Sequence, residues 1–478
     1  MTESAVGHDQ AVGASVDDHY TRALARFVAN LRYEDIPDPV RRRAKLLVLD
    51  ALGCGLYAYD LQWSRILAET LSEVDSTREC TVWGTPQRLS SVHAALCNGT
   101  QVQGFELDDV HREAVMHPGS VTLPPVIALA ESRRTISGRD LLAAIVAGYE
   151  IGPRVGMCMG RHHLEQGWHT GATLGVFSAA AAAARALHLD EERALHAIGI
   201  AGTQASGLMA AQFGSMVKRM HAGKAAESGL YATLLAEKGF TGIIDLFEAE
   251  YGGFCTTFSA SHDRFDREKL TRGLGESFET LRVSLKFYSC VASNHTTLDA
   301  IRNLQAKRLF GAGEVDEISV HASKATVEHV GWPYRPEGVT SSQLNLGYCV
   351  ATYLLEGACF VEQFSEALVA DPARMALAER VRCLEDPSIT AEGPNLRHKV
   401  RVEVKLKDGS VLRDTVEKAQ GSEDYFAPDE LIVAKFEKLA AKALPASQVR
   451  ALRDCVLQLE DLDDAATLAR LLVPGSAA

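Results

Sequence analysis

The hydrophobic period changes twice along this 478-residue chain, and those changes limit its folds more than any single motif does. From Asp17 to about Glu279, apolar residues recur at helical spacing; Tyr20, Leu24, Phe27, Val28 and Leu31, for example, share one face. Asp38-Pro39 predicts a second helix start, with the acid as cap and the proline at the first position. Further helical runs follow in VTLPPVIALAES, GRDLLAAIVAGYEIGPRVG, TLGVFSAAAAAARALHLD and EERALHAIGIAGTQASGLM. Small residues dominate them, which predicts close helix packing.

After Phe278 the period shortens. LRVSLKFY, EVDEISVHAS and KVRVEVKLKDGSVLRDTVEKA are β-rich, and Asp408-Gly409 between two alternating runs predicts a hairpin. Helical pieces, SNHTTLDAIRNLQAK and SQLNLGYCVATYLLEG, lie between them, and helices return from Pro428 onward. The expected fold class is mainly α. Residues 17–280 and 426–472 form one large all-helical domain from both chain ends, and residues 281–425 form an inserted α+β lid domain. Residues 1–16 read as a flexible tail without the pattern of a secretory signal.

Such a length exceeds one compact core, in keeping with two domains. A net charge of −13, with no long Lys/Arg run, argues against nucleic acid or an anionic membrane as partner. An anionic ligand therefore requires locally placed cations. No run approaches a membrane span, and the ten cysteines show no close spacing that signals zinc or an iron–sulfur cluster. They read as reduced thiols in a cytoplasmic compartment. No P-loop, dinucleotide fingerprint, G-x-S-x-G or H-E-x-x-H is present, which leaves cofactor-free, metal-free acid–base chemistry.

The stretch Gly104 to Glu131 is the strongest candidate for such chemistry. Glu106, Asp108, Asp109, His111 and His117 crowd into a dozen residues ahead of an apolar helix, where they form either a capped turn or a proton-transfer site. Four further segments pair polar with small residues: Trp168-His169, Met216 to Lys224 with Lys218, Leu285-Lys286 leading to Asn294-His295, and Gln343 to Tyr348. Each alone has a bland alternative: a cap, a solvated basic turn or a core tyrosine. Jointly they supply cations and imidazoles for a polycarboxylate, with acids to tune them.

Taken in order, FELDDVHREAVMHPGSVTLP, GWHTGATLGVFSAAAAAA, MVKRMHAGKAAESGLYATLLAEKGFTG, LKFYSCVASNH and LEDLDD resemble the MmgE/PrpD family, from about Ala23 to Leu472. ELDDVHREAVMH, GIAGTQASGLMAAQFGSMVKRM and EYGGF are most similar to its cis-aconitate decarboxylase branch. The resemblance implies a homodimer of helical domains with α+β lids, no cofactor, and a small di- or tricarboxylate as substrate. By position it implies an acidic pocket residue at Glu106, a catalytic imidazole at His117, a second histidine at His169, carboxylate-binding lysines at Lys218 and Lys286, and the lid tyrosine at Tyr348. Val110 stands where a decarboxylase of this family can show threonine.

The expected reaction is decarboxylation of cis-aconitate to itaconate. His117 is the expected general acid, oriented or tuned by Glu106 or Asp109, with His169 as relay and Lys218 and Lys286 on the carboxylates. Asp108, His111, Tyr348 and His295 complete the expected substrate-binding set. The same residues suit a 2-methylcitrate dehydratase or an iminodisuccinate-type epimerase, where a histidine acts as base. A non-catalytic helical scaffold instead predicts that these side chains do not converge.

Overall fold

Close helix crossings set the dimensions of this molecule, described by a computed structural model over residues 19–212 and 215–475. The tail expected at 1–16 lies outside the described residues. Helix Ser91–Val102 crosses helix Val217–Glu237 at Gly99 and Gly223. A Cβ on Gly223 would sit 2.1 Å from the Leu96 carbonyl oxygen, so only glycine lets the two backbones meet. That crossing matters for chemistry, because one helix leads into Glu106 and the other begins with Lys218 and Arg219.

The chain is mainly α, as its periodicity predicts. Helix Pro118–Arg133 starts immediately after His117, with Pro118 in its first turn, and is buried from Pro118 to Glu131. Helix Gly138–Glu165 is long and apolar enough to cross a membrane by length and composition, contrary to the reading that no run approaches a span. Its apolar window is wholly buried in the protein, so its hydrophobicity is accounted for by core packing. The helix expected to start with Asp38 as cap begins one residue earlier than that: Pro37 is the cap and Asp38 is already helical.

Helix Asp429–Ala440 packs on helix Asp38–Ala58, joining late and early parts of the chain. Its Lys435 reaches inward to the buried Asp50 at 2.5 Å and donates to the Leu107 carbonyl at 2.7 Å. The stretch from Glu106 to His117 is thereby tethered to the C-terminal helices.

Between residues 315 and 416 lies a four-stranded sheet, in the spatial order Val381–Glu385, Val315–Ala322, Val400–Leu406, Val411–Val416. The first pairing is parallel and the others antiparallel, with Val404 opposite both Ile318 and Leu412. Val400, Val402, Val404 and Leu406 are buried in alternation, and Gly409 takes φ +87° in the expected hairpin. The edge strand Val381–Glu385 was not foreseen. LRVSLKFY, read as β-rich, pairs only at Val283–Ser284, against Val110–His111. This short antiparallel ribbon joins the two segments that carry His117 and Lys286.

Candidate active site

Where helix Ser91–Val102 ends, the chain turns through Glu106 at φ +56°, a left-handed conformation that costs a non-glycine residue on the order of 1–3 kcal/mol. The turn delivers a carboxylate into a buried cluster of cations. Glu106 Oε1 accepts from Arg219 Nη1 at 2.6 Å and from Lys218, while Lys286 Nζ lies 3.5 Å from Oε2. Burial pushes the Glu106 carboxyl up, but Lys218, Lys286 and Arg219 outweigh it and hold the group well below the carboxylate range. Burial lowers the Lys218 ammonium despite the attraction of Glu106, and Arg219 adds to that lowering. Three cations on one buried carboxylate leave room for further negative charge.

His117 occupies the cap position of helix Pro118–Arg133. Its Nδ1 is 2.6 Å from the Asp109 carbonyl oxygen and 3.2 Å from Asp108 Oδ2. The carbonyl takes the Nδ1 hydrogen, and Asp108, off that line, acts as a buried charge beside the ring. With Nδ1 so occupied, Nε2 is the nitrogen available for proton transfer. Burial raises the Asp108 carboxyl, yet His117 and Lys286 leave it below its ordinary value.

This corrects the expected orienting role of Glu106 or the Asp109 side chain. Glu106 belongs to the cations. The Asp109 carboxylate accepts from Gly119 N at 3.0 Å and Tyr149 Oη at 2.7 Å, so it anchors the helix start. Burial and the Asp108 charge raise it to about 7.

His169, capping a short helix at Thr170–Thr173, faces His221 with 3.0 Å between their Nδ1 atoms. Burial first, then Lys218, His221 and His117, push His169 well below the usual imidazole value, so the ring is neutral. It therefore lies within electrostatic reach of the cluster.

Three expected ligands are committed elsewhere. His111 is held between Glu279 Oε2 at 3.0 Å and the Ala114 amide at 3.1 Å. Tyr348 donates to the Leu368 carbonyl at 3.0 Å within the apolar core. His295 is near Lys286 but its Nε2 faces the Cys290 carbonyl at 3.2 Å; burial and then Lys286 push it down to about 3.

Arg219 and His221 were missed, although both stand in the segment singled out for Lys218. A buried arginine between Glu106, Gln343 and Thr340, with its guanidinium 5.7 Å from the Trp63 ring, has no sequence marker beyond proximity. Beside the cluster is a cavity of about 470 Å³ lined by Gln212, His329, Trp332, Arg335, Ser341 and Leu344 among others. His329 is pushed down to about 4 by burial and then by Arg397 and Lys218, while Glu106 opposes them. Ser341 follows Thr340, which Arg219 faces.

One group of described residues has metal-binding geometry: the sulfurs of Cys290, Cys349 and Cys359 lie within 4.8 Å of one another. These positions are far apart in sequence, so spacing could not signal them. Burial raises all three thiols, which opposes the thiolate form that coordination requires.

A buried acid gripped by three cations, next to an imidazole backed by a carboxylate, is an arrangement chemically able to bind an anion and move a proton on it. The chain matches the MmgE/PrpD N-terminal domain over residues 22–266 and the MmgE/PrpD C-terminal domain over residues 288–461, and it belongs to that family. It is 34% identical to the cis-aconitate decarboxylase of Aspergillus terreus, covering 97% of this chain and 98% of that one. It is 28% identical to the human cis-aconitate decarboxylase, over 95% and 94% of the two chains. The 2-methylcitrate dehydratase of Cupriavidus necator is 24% identical, over 88% and 90%.

Proposed function

We propose that this chain is a cofactor-independent lyase that converts cis-aconitate to itaconate and carbon dioxide. The observation that carries the reading is the convergence of Lys218, Arg219 and Lys286 on Glu106 beside His117 and its Asp108 partner. Similarity to cis-aconitate decarboxylases across nearly both whole chains selects this reaction over dehydration.

In the proposed reaction the bond to the methylene carboxylate breaks, and its electron pair forms the new terminal double bond. The old double bond shifts its electrons toward the vinylic carbon, which takes a proton from His117 Nε2. Asp108 stabilises the imidazolium before transfer. Lys218, Arg219 and Lys286 hold the retained carboxylates and the negative charge that builds on them. Neutral His169 binds substrate or relays the returning proton.

The unit carrying the four-stranded sheet serves as a lid over this cleft, on a helical domain built from both chain ends. The protein works as a cytoplasmic homodimer. Exposed apolar side chains on one stretch, Tyr231, Phe240 and Ile244, support a self-association face. The ten free cysteines, eight of them buried, suit a reducing compartment.

A reaction in deuterium oxide tests the assignment. The saturated methylene of itaconate is expected to carry one solvent deuteron, and His117→Ala is expected to lose about a hundredfold to ten-thousandfold in rate. Near-full turnover by His117→Ala would remove His117 from this role.

A further inference from the structure

Against the ribbon that joins the His117 and Lys286 segments, cations gather around a second cavity that the proposed reaction does not use. It has a volume of about 310 Å³, and its walls include five cations, Arg112, Arg161, Lys269, Arg282 and Arg397, against two acids, Glu113 and Glu423. With Glu279, which pairs with Arg282 from behind the wall, five cations meet three acids, an excess of two positive charges in a chain whose net charge is −13.

Two of the five are balanced: Glu113 meets Lys269 at 3.3 Å and Arg282 at 2.6 Å, and Glu279 meets Arg282 at 3.1 Å. Arg112 has a looser partner in Glu423 at 3.8 Å, and among the described residues neither Arg161 nor Arg397 has an acid within ion-pair distance.

His398 cannot make up the difference. Burial, Arg112 and Arg397 push its pKa well down, so it is neutral and offers one lone pair. Two guanidiniums face it, Arg112 at Nδ1 and Arg397, whose Nε points to Nε2 at 3.1 Å, and one lone pair cannot accept from both. Burial together with Arg112 and Arg161 pushes the Arg397 guanidinium down to about 10. Glu423, paired with Arg112, opposes that lowering, so one negative charge serves both guanidiniums.

The three arginines come from separate elements. Arg161 follows Gly160, whose φ of +61° breaks helix Gly138–Glu165. Arg397 precedes strand Val400–Leu406, and Arg112 is five residues before His117. We propose that this cavity binds a small oxyanion with two or more negative charges through Arg112, Arg161 and Arg397, tying the sheet-bearing unit to the helix beside the catalytic ribbon. Its volume accommodates such an anion. Inorganic phosphate and a free polycarboxylate share this chemistry. The site is distinct from that of Glu106, whose cations are Lys218, Arg219 and Lys286.

Calorimetric titration of the full chain at low ionic strength, with inorganic phosphate and separately with citrate, tests the proposal. Lys218→Met, which disables the Glu106 site, is expected to keep saturable binding at one site per chain. Arg161→Gln, an exposed position that leaves folding intact, is expected to weaken that binding about tenfold or more, and Arg397→Gln likewise. Tighter binding of phosphate or of citrate identifies the source, and either supports the site. Absence of saturable binding by both anions overturns it, as does binding lost in Lys218→Met and unchanged in Arg161→Gln. Because the readout is binding and not turnover, the result stands apart from the proposed decarboxylation.

Discussion

Replacing Asp108 with asparagine removes one charge and almost no volume, which makes it a direct probe of how His117 is activated. The carboxylate is fully buried, 3.2 Å from Nδ1. With an effective dielectric of about 20, a unit charge pair at that separation interacts by roughly 332/(20 × 3.2), or about 5 kcal/mol. Relief of the desolvation of Asp108 returns part of this. The remainder falls in the range a general acid contributes, about a hundredfold to ten-thousandfold, or about 3–5 kcal/mol. We therefore expect Asp108→Asn to lower kcat by that factor while KM for cis-aconitate stays within about threefold, since Lys218, Arg219 and Lys286 are untouched. Steady-state kinetics on a variant with unchanged helical circular dichroism is the assay. A kcat within about threefold of the parent would refute the argument, as would a KM that carries most of the loss.

Arg219→Met removes one of three cations from Glu106 and is expected to raise KM about tenfold or more, with a smaller change in kcat; an unchanged KM would show that the guanidinium binds no substrate. Asp109 has a folded pKa of about 7 against an ordinary 3.8, so the folded form holds an extra proton between those values. Its contribution to stability accordingly falls as pH rises from about 4 to about 7, and urea midpoints across that window should show a slope that Asp109→Asn flattens. Gly223→Ala places a Cβ 2.1 Å from the Leu96 carbonyl oxygen and is expected to destabilise by about 1–3 kcal/mol or more while disturbing the Glu106 cluster. Gly311→Ala, where nothing lies within 4 Å, should change stability by less than about 0.5 kcal/mol in the same thermal melts.

Much of this architecture is legible in hydrophobic period alone. Long helices with continuous apolar faces and the alternating Val400–Leu406 strand leave little choice of secondary structure. The strand Val381–Glu385 escaped because it is short and half-exposed at a sheet edge, and its burial does not alternate cleanly. At the site, sequence order cannot tell Asp108 from Asp109. The backbone bends at Asp108, and the two carboxylates part there, one to His117 and the other to Tyr149. Nor does sequence order show that His111, on the ribbon, meets Glu279. Arg219 looked like a solvated neighbour of Lys218, and only the Gly99–Gly223 crossing, which brings helix and carboxylate together, makes it a ligand of Glu106.

The most direct test of the account is to incubate the purified chain, without added metal or cofactor, with cis-aconitate, 2-methylcitrate and iminodisuccinate separately, and to follow products by proton NMR. Catalytic formation of itaconate from cis-aconitate, faster than any conversion of the other two, is the predicted result. A methylaconitate product or loss of stereochemical purity, with cis-aconitate left unchanged, would contradict it.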